Sequence, residues 1–208
     1  MAEKGVEGVT INEITQAADV GFGSFYNHFE SKEAIYAALL DGFFEEFGAA
    51  LARLARGIAD PAETISVCVR HTLLRARYEP VWGKFLMREG FSAKVLERGL
   101  GQRLLRDIEK GVKAKRFMTN DVLMMCMSAG GTVLAAISVE LHFGNTPGAQ
   151  PDELARLGFS VEGLPERTAA ALLRTLGIDQ DEAEAIAHQK LPSVEKNVAG
   201  RLSGQVAS

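Results

Sequence analysis

Apolar residues recur at helical spacing along most of the chain, and no segment from Pro61 onward shows the alternation of a half-buried strand. The longest regular stripe lies between Ser31 and Gly57, where an apolar side chain returns every four residues: Ile35, Leu39, Phe43, Phe47 and Leu51. Such a helix of about 26 residues would span roughly 39 Å. The same spacing predicts helices over residues 61–79, 81–91, 100–115, 119–143, 164–176 and 179–190. The pattern therefore predicts an all-α protein.

Two short helices are predicted ahead of this long one. Thr10-Ile-Asn-Glu13 has the form of a capping box and begins a helix that runs to about Ala18, where Asp19-Val20-Gly21 interrupts the apolar pattern. A second short helix follows over about 23–29. Because two short helices joined by a tight turn bury little on their own, the long helix is expected to support them.

The composition agrees with a globular helical protein. The 208 residues are 47% apolar and only 7% aromatic, with a net charge of −4. This balance excludes a disordered tail protein, and it favours helices over strands. The acidic isoelectric point near 5.7 gives no support for unspecific binding to nucleic acid, so any contact with DNA depends on local residues.

The two cysteines, Cys68 and Cys126, lie in apolar stretches without a nearby partner in the sequence, so neither a disulfide framework nor a zinc site is expected. The amino-terminal residues lack the basic region and apolar block of a signal peptide. We therefore expect a cytoplasmic protein with no metal and no cofactor.

One segment has the composition of a membrane span. Residues 122–139 carry no charge over 18 positions, but Asp121 and Glu140 bound them closely and the centre, from Ser128 to Thr132, is only weakly apolar. A buried central helix of a soluble protein has the same pattern. We interpret the segment as such a helix and expect no membrane partner.

The most informative block is residues 9–39. The second short helix presents small and hydrogen-bonding side chains, and its size suits the major groove of DNA. Ser24, Tyr26 and Lys32 offer donors for phosphate oxygens, and Asn27 could recognise a base edge. For Phe22 two interpretations remain, contact with a thymine methyl group or packing across the turn, and His28 is either a phosphate contact or a packing residue. Phe25 and Phe29 are expected to face the core.

This block resembles the helix-turn-helix of the TetR family of bacterial transcriptional regulators, through TINEITQAADV, SFYNHF and ESKEAIYAAL in that order. The resemblance implies that the second short helix is the recognition helix and that homodimers bind a palindromic operator on double-stranded DNA. It also implies a ligand-responsive repressor that a small effector releases, and the bulky apolar residues of the larger domain would suit an apolar effector. The positions that match the family's DNA contacts are Thr10, Asn12, Gly21, Phe22, Ser24, Tyr26, Asn27, His28 and Lys32.

Two features depart from the family pattern. Members have a full helix before this block, whereas nine residues precede Thr10, so we expect this sequence to lack most of that first helix. In addition, Lys4 is the one Lys or Arg among residues 1–30, against five acidic residues. Because counterion release requires cations, DNA binding is expected to be weak or absent.

The resemblance, together with the Ser-, Gly- and Val-rich composition of the C-terminal residues, predicts three regions. Residues 1–57 would form the DNA-binding domain with its linking helix, residues 58–191 a larger helical domain for effector binding and dimerisation, and residues 192–208 a disordered tail. The seam Ala169, Leu172, Leu173 and Leu176, together with the small residues from Ser128 to Thr132, is interpreted as part of a four-helix dimer interface or as core. Candidate effector contacts are Trp82, Phe85, Phe91, Met124, His71 and His142, although bulky apolar residues are also typical of a core.

An enzyme and a binding module are the two other classes of function to compare with the sequence. The chain has no Gly-x-Ser-x-Gly, no phosphate loop and no paired histidines at metal-binding spacing, so an enzyme is not expected. The alternative is a helical module that binds a small molecule or a protein but not DNA.

Overall fold

The computed structural model describes residues 5–90, 99–118, 121–144, 156 and 160–192. Within these ranges the secondary structure is helical, and no strand occurs, which confirms the predicted all-α fold. The helices are α1 (Ile11–Ala17), α2 (Phe22–His28), α3 (Lys32–Leu54), α4 (Pro61–Tyr78), α5 (Pro80–Glu89), α6 (Leu100–Lys113), α7 (Val122–Phe143), α8 (Leu164–Thr175) and α9 (Gln180–Ala187), with a 3-10 turn over Ala55–Gly57.

Short polar side chains determine where several helices begin. The predicted capping box is present, because the Glu13 amide donates to Thr10 Oγ1 (3.2 Å) and the Thr10 amide donates to Glu13 Oε2 (2.8 Å). Ser31 caps α3, Asp60 caps α4 ahead of Pro61, and Asp121 caps α7. These local signals place the helix boundaries close to those that the sequence predicts.

The larger part of the molecule is built around α4, which packs against α5, α6, α7 and α8. The core side chains Ile65, Leu73, Ile108, Ile137 and Leu173 are at most 1% exposed. Glu140 is also buried, and it accepts a hydrogen bond from Arg77 Nε at 2.9 Å. This charge-assisted pair joins α7 to α4.

The seam of Ala169, Leu172, Leu173 and Leu176 belongs to this core. All four side chains are buried by other elements of the same subunit, with exposed fractions of at most 2%. The seam therefore has no surface left for a second subunit, and its interpretation as part of a dimer interface is wrong. The structure supports the other interpretation, that the seam is core.

Helix α7 is buried on one side only, contrary to the sequence-based expectation of burial all round. Cys126, Ala129 and Ile137 face the core, whereas Leu123, Met124 and Met127 are about half exposed or more. By length and composition alone, α7 could cross a membrane: its most apolar 18-residue window has a mean hydropathy of 2.0, and 22% of that window is buried. One long face of this apolar helix is thus left uncovered by the described residues.

The predicted boundary between residues 57 and 58 falls between the 3-10 turn and α4. The division of the chain into three regions stays a prediction. Of the predicted tail, Pro192 is described, and residues 193–208 lie outside the described ranges.

Candidate nucleic-acid interface and ligand cavity

The turn between α1 and α2 is set by local hydrogen bonds. Asp19 adopts a left-handed backbone conformation (φ 54°), and the Val20 amide donates to the Thr15 carbonyl at 3.0 Å. The chain then enters α2 after Gly21. Phe25 is the one side chain of α2 that is buried, with 4% exposed. The opposite side of α2 is therefore directed outward.

The predicted DNA contacts lie on this outward surface. The structure exposes Thr10, Asn12, Gly21, Phe22, Ser24, Tyr26, Asn27 and His28. Asn27 follows Phe25 by two positions, which places it almost opposite the buried ring on a helix. Their part in binding DNA stays a prediction, but none is sealed inside the molecule.

The two open interpretations on α2 can be compared with the geometry. The rings of Phe22 and Tyr26 are both about half exposed and meet edge-on, with centroids 5.6 Å apart. Phe22 thus packs along the helix surface and keeps one side free. His28 is exposed, so the alternative of a buried packing residue does not hold.

Lys32 differs from the other candidates. Its side chain is 26% exposed, and its Nζ lies 3.4 Å from Glu7 Oε2. Among residues 5–32, Lys32 stands against four acidic residues, Glu7, Glu13, Asp19 and Glu30. The positive charge that would attract phosphate is therefore already shared with a carboxylate.

Gly21 and Gly23 leave open space beside the backbone on the outward surface of α2. A Cβ atom added at Gly21 or Gly23 would meet no heavy atom within 4 Å. Packing within the described part of the protein does not require glycine at either position. The missing side chains leave room for the backbone to approach a partner closely.

An aromatic junction joins α3 to α5. Phe47 and Trp82 meet edge-on at 4.9 Å, Tyr36 and Phe85 at 5.3 Å, and the guanidinium of Arg75 lies 4.8 Å above the Trp82 ring. Burial, together with the hydrogen bond from Tyr36 to Glu89, raises the pKa of Tyr36 to about 12. The junction connects the helix that follows α2 to the larger helical bundle.

A cavity of about 660 Å³ lies between α3, α4, α6 and α7. Its apolar lining includes Leu51, Ile65, Val69, Leu104, Val133 and Leu134. Both cysteines also line it, which the sequence did not indicate, and burial raises the pKa of the Cys68 thiol to about 12. At this volume the cavity is in the range of small-molecule sites.

The candidate effector residues lie elsewhere. None of the five that the structure describes lines this cavity: Trp82 and Phe85 are buried in the aromatic junction, and Met124 is exposed on α7. The other two are His71, whose Nε2 lies 3.0 Å from the Pro192 carbonyl oxygen, and His142, whose Nδ1 lies 2.8 Å from the Ser138 carbonyl oxygen.

Phe91 lies outside the described residues. A role for these six in binding an effector stays untested. The sequence-based candidates are bulky or polar side chains, whereas the cavity lining also includes the small residues Gly48, Ala52, Gly101 and Gly130.

Two family models match the chain. The model described as bacterial regulatory proteins, tetR family, matches residues 1–39, and the model described as tetracyclin repressor-like, C-terminal domain, matches residues 60–189. Together they cover both the helix-turn-helix and the bundle that contains the cavity.

Curated relatives match over part of their length. The chain is 45% identical over 65 residues to the HTH-type transcriptional repressor DhaR of Mycobacterium sp. (strain GP1), a match covering 31% of this chain and 29% of DhaR. It is 36% identical over 69 residues to the repressor KstR2 of Rhodococcus jostii (strain RHA1), covering 33% of each. The chain's match thus spans about a third of the length of each of these repressors.

Solved structures match over nearly the whole chain. The crystal structure of RolR in complex with resorcinol is 32% identical, with a TM-score of 0.69, and covers 93% of this chain and 90% of RolR. RolR without ligand gives a TM-score of 0.66 at the same identity, with 93% and 94% covered. A transcription regulator from Shewanella sp. PV-4 has a TM-score of 0.64 over 84% of this chain and 90% of its own, but at 19% identity it shows the fold alone.

Proposed function

Because the chain belongs to the TetR family of bacterial regulatory proteins, whose members are transcriptional regulators, we propose that it is a repressor that binds a palindromic operator as a homodimer. A small effector with a largely apolar body would release it from DNA in the cytoplasm. The observation that carries the proposal is the arrangement of α2, where one buried ring, Phe25, holds the helix and leaves its outer face free.

The outer face of α2 offers both kinds of DNA contact. The hydroxyl groups of Ser24 and Tyr26 suit phosphate oxygens, and the amide of Asn27 can form two hydrogen bonds with an adenine edge. Lys32 would supply a further phosphate contact once it leaves Glu7. The remaining proposed contacts are Thr10, Asn12, Gly21, Phe22 and His28.

A symmetric dimer would place two α2 helices in successive major grooves, about 34 Å apart. The uncovered face of α7 is the surface we assign to the second copy. It carries Met124 and Met127 beside the exposed small residues Ser128, Thr132 and Ala135, which allow two helices to approach closely. The same face on both subunits makes a self-complementary contact.

Helix α3 provides the route from effector to DNA. Its first residue, Lys32, lies four positions after His28, the end of α2, and its last turns line the cavity through Gly48 and Leu51. An effector that fits the cavity better in one position of α3 than in another would favour that position, and with it one spacing of the two α2 helices. The resorcinol complex of RolR supports a small organic ligand for this fold.

A module that binds a small molecule without binding DNA is the second candidate. The excess of carboxylates over cations among residues 5–32 favours it, because the counterion release that drives much of DNA binding requires cations. The two functions differ in whether the protein selects a duplex.

Selection from a pool of random-sequence duplexes distinguishes them. We expect the protein to enrich an inverted repeat whose half-sites lie about one helical turn apart, or a multiple of it, with two subunits bound per duplex. The variant Tyr26→Ala/Asn27→Ala, altered only on the exposed face, serves as the control and should enrich nothing. If the unaltered protein also enriches no sequence, the repressor proposal is wrong and the ligand-binding module remains.

A further inference from the structure

The charged side chains that line the cavity are mostly cations. The lining contains one carboxylate, Asp107, and four cations: Arg56, Arg103, Arg106 and Lys110. Lys110 is paired with Asp107 at 3.0 Å, and among the described residues neither Arg56 nor Arg106 forms an ion pair. The cavity thus combines an apolar interior with a rim that favours negative charge.

Arg103 is the cation whose geometry is most informative. Its Nη2 donates to Glu45 Oε2 at 3.0 Å, whereas its Nε is buried and has no hydrogen-bond partner within the described part of the chain. The Nε and Nη2 groups of an arginine form one edge that binds a carboxylate through two parallel hydrogen bonds. Here Glu45 occupies only half of that edge.

Gly48 on α3 makes this placement possible. A Cβ atom at position 48 would lie 2.6 Å from Arg103 Nε, so a larger residue would push the guanidinium away. The Arg103 side chain therefore lies directly against α3, at the cavity wall that Gly48 and Leu51 also form.

We propose that the effector is an organic anion whose acidic group binds the Nε and Nη2 edge of Arg103, while its apolar body occupies the space lined by Leu51, Ile65, Val69, Leu104, Val133 and Leu134. This inference rests on the proposed effector site and names its ligand class. A neutral molecule of the same shape would leave the buried Nε unsatisfied, so it binds more weakly.

The same contact gives the effector a way to act on α3. Glu45 belongs to α3 and Arg103 to α6, so their ion pair joins the two helices. An acidic group on the shared edge competes with Glu45 for Arg103. Effector binding therefore loosens the contact between α6 and the helix that follows the recognition helix.

The test uses two fluorescent probes with the same aromatic skeleton. The first, 8-anilinonaphthalene-1-sulfonate, is an anion, and N-phenyl-1-naphthylamine lacks the sulfonate. Each is titrated into the unaltered protein, Arg103→Gln, Glu45→Gln, and Arg174→Gln as a matched control, since Arg174 is an exposed arginine outside the cavity lining.

We expect the unaltered protein to bind the anion more tightly than the neutral probe. Arg103→Gln should weaken anion binding by about tenfold, and Glu45→Gln should strengthen it by about threefold because the competitor is gone. Affinity for the neutral probe should stay constant in all variants, which also shows that they are folded. Should Arg103→Gln prove unstable, Glu45→Gln decides the question, because it retains Arg103.

Any one of three results would overturn this inference. The unaltered protein could bind the two probes equally, it could fail to bind the anion, or Glu45→Gln could fail to raise the affinity for the anion. Release of the selected duplex is measured separately with the same anion. If anion binding follows Arg103 and Glu45 but DNA is not released, the effector role fails while the anion site stands. If the probes show no dependence on charge while the duplex is still selected, only this inference fails.

Discussion

Lys32 is the one Lys or Arg among residues 5–32 and so supplies the positive charge of the proposed DNA-binding surface. Its ammonium group lies beside Glu7, so part of its attraction for phosphate is already neutralised. Lys32→Ala should weaken binding to all duplexes by similar factors and reduce the slope of log affinity against log salt by about one. Glu7→Gln should strengthen binding, because it frees the same ammonium group.

Fluorescence anisotropy at several salt concentrations, on the selected duplex and on an unrelated one, measures both effects. Lys113→Ala, which removes an exposed lysine at the end of α6, is the matched control. If Lys32→Ala and Lys113→Ala changed the salt slope equally, the proposed contact between Lys32 and a DNA phosphate would be wrong.

Gly23 leaves room for a partner to approach α2, but glycine lowers the stability of a helix. Because a Cβ atom there meets open space, Gly23→Ala should stabilise the protein by about 0.5–1 kcal/mol through the higher helix propensity of alanine. Chemical denaturation measures this gain. A loss of stability would show that the Cβ meets an obstacle inside the protein.

At the scale of elements, the sequence predicts those structural features that depend on a few consecutive residues. The capping box of Thr10 and Glu13 and the Ser31 cap of α3 depend only on neighbours in the chain, and α1 and α3 begin where expected. The exposed face of α2 could also be predicted, because the spacing of Phe25 and Phe29 indicates which side of the helix faces the core.

The cavity and the uncovered face of α7 could not be predicted, because both depend on which helices meet. The cavity is assembled from four helices around small residues, and no single stretch of sequence carries its pattern. The apolar residues of α7 have similar hydropathy on both sides, so the sequence did not reveal that only the Cys126 side packs inward. For the same reason the seam of α8 resembled an interface.

Arg116 links three elements through charged hydrogen bonds. It contacts Asp60, the cap of α4, through Nε and Nη2, both at 2.9 Å, and Glu182 on α9 at 2.7 Å. The hydrogen bond from Arg116 lowers the pKa of Asp60 below its ordinary value of 3.8. The contribution of Asp60 to stability is therefore present above pH 3.8 and is lost as the pH falls below that value.

Arg116→Met should lower the free energy of unfolding at neutral pH by about 1–2 kcal/mol. The difference between the variant and the unaltered protein should shrink as the pH falls below 3.8, because the unfolded chain then binds a proton at Asp60, and the part that Asp60 contributes vanishes once Asp60 is also protonated in the folded unaltered protein. Urea denaturation at a series of pH values measures it. A difference that stayed constant down to pH 3 would contradict the assigned role of the Asp60 carboxylate.

At the scale of the whole molecule, the uncovered apolar face of α7 is the proposed contact between two subunits. A charge at the centre of a self-complementary apolar contact would be brought against its own copy, so Met127→Glu should convert the proposed dimer to monomers. Val81→Glu introduces the same charge at an exposed apolar residue on α5 and should leave the dimer intact. Sedimentation velocity distinguishes the two masses, and a dimeric Met127→Glu would show that another surface holds the subunits together.

The proposed function requires that the outer face of α2 recognises DNA bases. Its most direct test is the affinity of the unaltered protein and of Asn27→Ala for the selected duplex and for duplexes with single base-pair substitutions. We predict that Asn27→Ala loses about 1–3 kcal/mol of discrimination at one position in each half-site and keeps its preferences elsewhere. If Asn27→Ala retained the base preferences of the unaltered protein at every position, Asn27 on the outer face of α2 would not be in contact with DNA bases.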